Sequence, residues 1–349
     1  MAPLQATPRF TTTGQALIAW SRIDTYNMSP PRVLLTTYHH AYLKKAGGEF
    51  EIFSISEKLK RHGMIADIYG PLSRGLESYD VVLHFSVHGG GLDLLRYIHD
   101  QGKPIALWPN LWLNRPANDI GQMVRAYTDL ANVVIFKSSA EQTMFSSQFE
   151  LPADKIRRVI AQADPVYQKP APAGLFPALY GLERYVIGVG IIEPNKNQLS
   201  VIRALKGRDI KLVLIGGHRD SQYYKTCQEE GGNDVLFIEA LPARSELMRS
   251  ALRESRLFIE CSHEPPGLSA IEAGLAGCQL VLSDSAWSRE HFGDLVQYCD
   301  PNSLDSIRNA IDVSLTREPG SQALSQHLVP YCADESIERL VHILADIAA

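Results

Sequence analysis

The sequence predicts an α/β protein built from two doubly wound domains that face each other across a cleft. Three observations lead to this prediction. Short apolar runs alternate with amphipathic segments from residue 32 onward, a proline-rich stretch interrupts the alternation, and the same alternation then restarts. Such alternation is typical of parallel sheets that are covered by helices on both faces. Because ligands of such sheets bind beyond the carboxyl ends of the strands, the loops that follow strands are the places to search for a site.

The first predicted domain comprises residues 32–165 and follows an N-terminal arm of residues 1–31. The arm has no clear periodicity and ends in Pro30-Pro31, which is typical of a segment that precedes the first strand. Amphipathic segments between the apolar runs are expected to form helices. Buried strands are predicted near residues 33–35, 64–69, 81–85, 104–107 and 133–136.

A change in composition separates the two predicted domains. Residues 161–180 hold four prolines and little periodicity, so a linker is predicted at residues 166–182. The second domain is predicted to comprise residues 183–330, followed by a C-terminal helix at residues 331–349 that should pack against one of the domains. Strands of the second domain are predicted near residues 185–190, 212–216, 235–239, 257–260 and 280–283.

Composition excludes several classes of protein. The 349 residues are 45% apolar and 21% charged, with a formal net charge of −5, which argues against a disordered chain and against a basic nucleic-acid binder. The five cysteines include no Cys-x-x-Cys pair, so neither a disulfide framework nor a zinc site is indicated. The first residues lack the pattern of a secretory signal, and no apolar run approaches the roughly 20 residues of a membrane-spanning helix. These features predict a cytoplasmic protein.

The segment most informative about function reads Glu-Pro-Pro-Gly-Leu-Ser-Ala-Ile-Glu, from Glu264 in a loop to Glu272 about one turn inside a helix. Gly267, Leu268 and Ser269 are expected to present backbone N–H groups at the start of that helix. Such a helix start favours phosphate, because its amides point outward and the helix dipole is positive there. Carboxylates beside an anion site suit a ligand that carries both phosphates and sugar hydroxyls. The structural alternative is a capping Glu264 and a solvated Glu272.

This segment resembles the glutamate-pair motif of the retaining family 4 glycosyltransferases (glycosyl transferases group 1), which reads Glu-Gly-Phe-Gly-Leu-x-x-x-Glu-Ala. The resemblance implies the GT-B fold, in which two Rossmann-like domains face each other across a cleft. In that family the first glutamate contacts the donor sugar, which implies a catalytic role for Glu264. The loop amides meet sugar and phosphate, which implies donor binding by Gly267, Leu268 and Ser269. The second glutamate binds the ribose hydroxyls, the role implied for Glu272.

A second resemblance to the family lies at residues 188–197, which read Gly-Val-Gly-Ile-Ile-Glu-Pro-Asn-Lys-Asn against the family's Gly-Arg-x-x-x-x-Lys-Asn. Lys196 is therefore expected near the donor diphosphate as a catalytic cation, where it would offset the charge that grows on the leaving group. The arginine of the family is replaced by Ile191. Arg219, in the loop after the next strand, is a candidate substitute, and an ordinary exposed arginine is the alternative.

Candidate residues in the first domain carry less specific signals. Gly47-Gly48 before a helix resembles the family's Gly-Gly-Ala-Glu loop, where glycines let the backbone approach the donor diphosphate closely. An ordinary turn is the alternative. The family often places a histidine near the donor sugar, and Asn110 stands where that histidine is expected. His84 and His88 also follow a strand end and are candidates to face the cleft, although a lone histidine is more often structural.

Missing motifs narrow the function further. The sequence has no Asp-x-Asp pair, so the metal grip of the other main glycosyltransferase fold is missing and no metal site is predicted. It also has no Gly-x-Gly-x-x-Gly fingerprint, no Gly-x-x-x-x-Gly-Lys loop and no Gly-x-Ser-x-Gly elbow. These absences disfavour nicotinamide enzymes, P-loop nucleotide hydrolases and serine hydrolases.

The sequence therefore predicts an enzyme that moves a sugar, a hexose by its resemblance, from an NDP-sugar to an acceptor hydroxyl with retention of the anomeric configuration. The resemblance implies a UDP- or GDP-sugar as substrate, no cofactor, and a glycan or glycolipid acceptor of the kind used in polysaccharide biosynthesis. Peripheral contact with the inner face of the plasma membrane is a further expectation, with basic residues at 44–45 and 58–61 as candidate lipid contacts; a solvated helix face is the alternative. Two other functions stay open, a non-catalytic partner protein with the GT-B fold and a sugar-nucleotide epimerase or hydrolase.

Overall fold

The structure is a computed structural model that describes residues 30–41, 47–88, 90–113, 120–160, 162–318 and 320–349, without the side chains of residues 47–50. The predicted arm of residues 1–31 therefore lies outside the described residues apart from Pro30 and Pro31. Within the described ranges, every helix is too short or too polar to span a bilayer.

The first sheet consists of six parallel strands in the order β2-β1-β3-β4-β5-β6. Four of its strands are buried along their whole length, because helices cover both faces of the sheet. The strands are β1 (Val33–Thr36), β2 (Ala66–Ile68), β3 (Val81–Phe85), β4 (Ile105–Trp108), β5 (Val133–Phe136) and β6 (Ile156–Arg158). The intervening helices are α1 (Gly47–Arg61), α2 (Leu92–Asp100), α3 (Gly121–Leu130) and α4 (Ser139–Gln148).

The second sheet also has six parallel strands, in the order β12-β11-β10-β7-β8-β9. Its strands are β7 (Tyr185–Val189), β8 (Lys211–Ile215), β9 (Val235–Ile238), β10 (Leu257–Glu260), β11 (Leu280–Ser283) and β12 (Gln297–Cys299). The remaining helices are α5 (Leu175–Tyr180), α6 (Gln198–Leu205), α7 (Ser221–Gly231), α8 (Glu246–Arg253), α9 (Leu268–Leu275), α10 (Ala286–Phe292), α11 (Leu304–Leu315), α12 (Gln322–His327) and α13 (Glu335–Ala348). The prediction of two doubly wound α/β domains is confirmed.

The strand order places one switch point in each sheet. In the second sheet the chain runs outward from β7 through β8 to β9, and then returns to lay β10 on the other side of β7. The loops that follow β7 and β10 therefore diverge from neighbouring strand ends and leave a crevice between them, which is where doubly wound sheets bind ligands. In the first sheet the corresponding point lies between β1 and β3.

The C-terminal helix α13 returns to the first sheet. Its apolar face, which includes Leu340 and Leu344, packs with Ile52, Ile55 and Leu59 of α1 in one buried cluster. This cluster also contains residues of β1, β3 and β4, so α13 completes the cover on one face of the sheet. The last residues of the chain thereby stabilise the first domain.

The predicted linker contains ordered structure. A 3-10 helix spans Pro165–Gln168, where the Asp164 side chain accepts a hydrogen bond from the Val166 N–H at 2.9 Å. α5 follows, and its Phe176 is fully buried in the core of the second domain. The boundaries 166–182 remain a prediction.

Direct contacts join the two domains outside the linker. The carboxylate of Glu290 on α10 accepts hydrogen bonds from the N–H groups of Ser139 (2.8 Å) and Ala140 (2.7 Å) at the start of α4. A further bond lies within the first domain, where Lys58 of α1 is buried and its Nζ donates to the carbonyl of Ala163, just before the predicted linker, at 2.9 Å. The expectation that Lys58 is free to contact lipid headgroups is therefore wrong, because its ammonium group holds this segment against α1.

Candidate functional site

One asparagine ties together three loops at the carboxyl edge of the second sheet. Asn197, in the loop after β7, donates from Nδ2 to the Cys261 carbonyl (3.0 Å) after β10 and to the Pro301 carbonyl (2.9 Å) after β12. The His263 N–H also donates to the Asn195 carbonyl at 2.8 Å. Asn197 has a φ of +56°, a conformation that asparagine adopts more readily than most residues. These bonds hold the loops that carry the two sequence motifs side by side.

The start of α9 has free amides, as the sequence predicts. Gly267 precedes the helix with extended backbone, and no side chain among the described residues caps the first turn. The N–H groups of Leu268 and Ser269 are therefore available to an anion at the positive end of the helix dipole. Pro265 and Pro266 lie in the loop before the helix rather than at its first position.

Lys196 lies between two carboxylates. Its Nζ is 2.9 Å from Oε1 of Glu260 and 3.1 Å from Oε1 of Glu264. Burial alone would lower the pKa of Lys196, but the attraction of the two carboxylates outweighs it and holds that pKa above its ordinary value. The ammonium group is therefore charged, and the structure brings together the lysine and the first glutamate of the two separate motifs.

Glu260 is the residue at this site that sequence reasoning missed. It ends β10, its side chain is only 8% exposed, and its Oε2 accepts a hydrogen bond from Ser269 Oγ at 3.3 Å. Glu260 thus connects Lys196 to the start of α9. The available signal was an acidic residue at the end of the apolar run Leu-Phe-Ile-Glu, since a buried carboxylate requires a partner.

A small cavity of about 20 Å³ lies behind Lys196, lined by residues that include Gly188, Gly190 and Glu260. This volume holds roughly one water molecule. A sugar or a nucleotide does not fit there. We refer to Lys196, Glu264 and the start of α9 as the donor corner. A ligand of the donor corner must approach from the side of the cleft where Glu264 and the α9 amides lie.

Glu272 lies on α9 among charged groups from both domains. Burial raises the pKa of Glu272 to about 7, against the opposing effects of the Tyr167 hydroxyl and of the cations Arg244 and Lys58. Asp164, two residues before the predicted linker, raises this pKa further. Because Lys58 belongs to the first domain, the second predicted glutamate is turned toward the region where the domains meet.

Arg244 connects this region to the first domain. Its guanidinium lies 2.8 Å from Glu57 of α1 and 3.1 Å from Asp164, just before the predicted linker. The Arg244 N–H also donates to the Tyr167 hydroxyl at 3.3 Å. The loop after β9 is thereby fixed against the linker and α1, close to Glu272.

Glu272→Gln is expected to flatten the dependence of stability on pH. A carboxyl with a pKa of about 7 when folded and 4.5 when unfolded binds more protons in the folded state, so the free energy of unfolding falls as the pH rises through this window. The loss is on the order of 3 kcal/mol for a shift of this size. Glutamine does not titrate, so the free energy of unfolding should fall less with rising pH in the variant than in the wild type. Denaturant unfolding of both proteins at about pH 5 and about pH 8 measures the difference.

Glu141→Gln is the matched comparison, because burial also raises the pKa of Glu141 to about 7, at the start of α4 in the other domain. An equal decline with pH in the wild type and in Glu272→Gln would contradict the raised pKa of Glu272.

Arg219, Gly47 and Gly48 are the remaining residues predicted to bind the donor, and they belong to other loops and helices than Lys196 and Glu264. Arg219, in the loop after β8, is half exposed and lies 3.5 Å from Glu193 of the loop after β7. These two loops are joined where the Ile192 N–H donates to the Gly217 carbonyl at 2.8 Å. Arg219 is thus beside the stretch that holds Ile191 but pairs with a carboxylate there, and its substitution for the missing arginine remains a prediction. Gly47 and Gly48 form the first residues of α1.

His84 does not face the cleft. Its side chain is fully buried in β3, its Nδ1 lies 2.8 Å from the Thr36 hydroxyl, and its ring stacks on Tyr127. Burial lowers the pKa of His84 to about 3, so the ring is neutral. Because alternate residues of a strand point to opposite faces, a histidine inside β3 enters the core under α2 and α3 rather than the loop region. His88 lies beyond the strand end and is exposed.

Asn110 does lie at a carboxyl strand end. It follows β4 with a φ of +47°, and its Oδ1 accepts a hydrogen bond from Lys137 Nζ at 2.7 Å. Among the described residues no group of three His, Cys, Asp or Glu side chains is arranged to hold a metal ion.

Residues 177–327 match the sequence model of the family described as Glycosyl transferases group 1. A comparison with curated proteins found no match. The solved structure of HepE from Anabaena in complex with UDP and glucose is similar, with a TM-score of 0.67 and 18% identity over 91% of this chain and 98% of that one. Sucrose-phosphate synthase from Thermosynechococcus elongatus has a TM-score of 0.63 and 16% identity, over 91% and 96% of the two chains.

A further similar structure is described as trehalose-6-phosphate from E. coli bound with UDP-2-fluoro glucose. Its TM-score is 0.65 at 12% identity, over 90% of this chain and 99% of that one. At such identities the likeness establishes the fold, and it covers both domains in each case. The chain therefore has the GT-B fold, and residues 177–327 of its second domain match the sequence model of the glycosyl transferases group 1 family.

Proposed function

We propose that this protein transfers a sugar from an NDP-sugar, with UDP or GDP as the nucleotide, to an acceptor hydroxyl with retention of the anomeric configuration. The observation that carries the proposal is the corner where Lys196, paired with Glu264, lies beside the free amides of α9. The family of the second domain supports it, and so do the UDP and UDP-sugar named with two of the similar structures. Retention, the hexose and a glycan or glycolipid acceptor rest on the motif resemblance.

The arrangement assigns separate tasks to the groups of the corner. The amides of Leu268 and Ser269 would take the diphosphate, whose oxygens are strong acceptors. Glu264 would accept hydrogen bonds from sugar hydroxyls, and Glu272 from the ribose. Lys196 would offset the negative charge that develops on the leaving diphosphate as the glycosidic bond breaks. With the leaving group on the same face as the acceptor, its oxygen can take the acceptor proton.

The charge of the corner determines how the donor is accommodated. One ammonium group between two carboxylates leaves a net negative charge before a diphosphate arrives. Glu264 is 32% exposed and Glu260 is 8% exposed, so Glu264 is the carboxylate that sugar hydroxyls can reach. In the proposed complex Glu264 turns to the sugar, while Glu260 keeps the ammonium in place for the diphosphate.

Nucleotide binding tests the proposal directly. Thermal unfolding with UDP, GDP, ADP or TDP should show a higher melting temperature with at least one of them, because a ligand that binds only the folded state stabilises it by mass action. Glu272→Ala should reduce the affinity for that nucleotide in calorimetry, because it removes the ribose contact. Unchanged melting with all four nucleotides would contradict the proposal.

Product analysis then separates transfer from the other reactions open to a sugar-nucleotide enzyme. Incubation of the donor without acceptor should leave the sugar unconverted apart from slow hydrolysis. Rapid conversion of the donor to an epimer would point to an epimerase instead.

A further inference from the structure

A second polar cluster lies at the carboxyl edge of the first sheet, across the cleft from the donor corner. Lys137 follows β5, and its Nζ lies 3.0 Å from Oε2 of Glu51 on α1 and 2.7 Å from Oδ1 of Asn110 after β4. These three residues are widely separated in sequence and converge because β4 and β5 are neighbours in the sheet. We refer to Glu51, Lys137 and Asn110 as the first-domain cluster.

The first-domain cluster leaves hydrogen-bonding capacity unused. Oε1 of Glu51 is buried without a partner among the described residues. Lys137 can only donate hydrogen bonds, so the oxygen of the Asn110 amide must face it. The Nδ2 group of Asn110 is therefore directed away from Lys137. Within the described part of the chain, Nδ2 of Asn110 and the third N–H of Lys137 make no hydrogen bond to a side chain or carbonyl. One acceptor and two donors therefore remain open at the same place.

One member of the cluster borders a cavity between the domains. Lys137 lines a space of about 430 Å³, whose opposite wall is formed by Glu290 and His291 of α10 in the second domain. The Lys137 side chain is 19% exposed and is the cluster member that reaches this space. A volume of this size is that of a small-molecule pocket.

A purely structural role explains this arrangement poorly. Replacing a buried ion pair with apolar side chains often leaves stability unchanged, and a buried oxygen without a partner costs about 1–3 kcal/mol. Three unused polar groups at one place point to a ligand.

The charges select the chemistry of that ligand. Glu51 and Lys137 neutralise each other, and the neighbouring Glu141, which has a pKa of about 7, adds part of a negative charge, so the cluster offers no net attraction to a phosphate. A hydroxyl group both donates and accepts, and it can accept from Asn110 Nδ2 or Lys137 while it donates to Glu51. A neutral compound with several hydroxyls, such as a sugar, satisfies all the open groups.

We propose that Glu51, Lys137 and Asn110 form a hydroxyl-binding subsite for a neutral sugar acceptor on the first-domain wall of the cleft. This inference rests on the proposed sugar transfer and specifies where the acceptor binds. Lys137 is the positioning residue, because it orients the carboxylate of Glu51 and the amide of Asn110 at once.

Asn110→Asp is the sharpest test. Aspartate has the same shape, tolerates the same backbone conformation and keeps an oxygen toward Lys137, so the outward N–H donor is replaced by a carboxylate oxygen and a negative charge is added. Asn132→Asp is the matched control, because it adds the same charge at a residue that is exposed at the amino edge of the same sheet, where Asn132 Oδ1 accepts from the Ile105 N–H. Glu51→Gln is a second variant that removes the charge without changing the shape.

Saturation-transfer NMR with the methyl glycosides of glucose, galactose, mannose and N-acetylglucosamine measures the binding of sugars. We expect at least one glycoside to bind the wild type and Asn132→Asp alike, and its affinity to fall by about 10-fold in Asn110→Asp and in Glu51→Gln. The affinity for UDP, measured by calorimetry, should stay within about twofold of the wild type in both variants.

Two results would overturn the subsite. One is a wild type that binds none of the four glycosides, and the other is a glycoside that binds Asn110→Asp or Glu51→Gln as tightly as the wild type. A failure of the proposed donor site would give a different result, namely a wild type that binds no nucleotide. Glycoside binding that is lost in the two variants would support the subsite even then.

Discussion

Lys196→Ala is expected to lower the turnover number by about 10²-fold or more at saturating donor, the loss typical of removing one preorganised electrostatic group. The ammonium of Lys196 is held at 2.9 Å by Glu260, so it needs little reorganisation when charge develops on the leaving diphosphate. Its removal also leaves two carboxylates, which repel that charge. Steady-state transfer assays on the wild type and the variant measure the effect.

The stability of this variant must be measured beside its activity, because a carboxylate that loses its buried partner destabilises a protein by about 3–5 kcal/mol. Lys196→Met combined with Glu260→Gln removes both charges and keeps the volumes, so it separates loss of catalysis from loss of folding. Lys225→Ala is the surface control, since Lys225 is 67% exposed and pairs with Glu229 at 3.7 Å. Near-normal turnover in a folded Lys196 variant would remove this lysine from the mechanism.

Glu264→Ala is expected to reduce transfer by a similar factor of about 10² while leaving the affinity for UDP unchanged or higher. The carboxylate is proposed to hold the sugar, which UDP lacks. In the free protein it competes for Lys196 at 3.1 Å, so its removal frees the ammonium for the diphosphate. Transfer assays and calorimetry with UDP together distinguish a sugar contact from a nucleotide contact.

Glu229→Ala is the matched control for Glu264→Ala, because Glu229 is also a glutamate paired with a lysine but lies on the exposed face of α7. A Glu264 variant that transfers sugar normally, or that loses affinity for UDP as strongly as it loses transfer, would contradict the proposed contact with the sugar.

Most of the fold could be predicted because the strands of a doubly wound sheet are buried on both faces. Apolar runs such as Val133–Phe136 and Leu280–Ser283 coincide with β5 and β11. The same signal is missing from β6 and β12, which are short edge strands with the sequences Ile-Arg-Arg and Gln-Tyr-Cys. An edge strand has a neighbour on one side only and tolerates polar residues, so its sequence is not distinctive.

The sequence did not predict the helix α5, and it did not predict where the helix α13 packs, for different physical reasons. α5 contains Pro177 within a proline-rich stretch that predicts a linker, but proline at the third position of a helix removes an N–H that has no partner in the first turn. α13 was expected as a helix, yet its apolar spacing could not say which domain it covers. That choice depends on which face the rest of the chain leaves open, and here it is the α1 side of the first sheet.

The donor corner was accessible to sequence reasoning because its residues lie within two short motifs. The partners from distant segments were not: Glu260 lies 64 residues from Lys196, and Glu51 lies 86 residues from Lys137. A buried charge requires a counter-charge, but the sequence does not say which one. The expectation for His84 was wrong because His84 lies inside the strand predicted at residues 81–85, which β3 matches, and its buried side chain enters the core rather than the loop region.

A crystal structure of the protein in complex with UDP would show whether the start of α9 binds the donor diphosphate. The diphosphate should lie within hydrogen-bonding distance of the Leu268 and Ser269 N–H groups, with Glu272 on the ribose and Lys196 beside the terminal phosphate. UDP bound elsewhere, or bound in the cleft with Glu272 directed away from the ribose and the start of α9 empty, would contradict it.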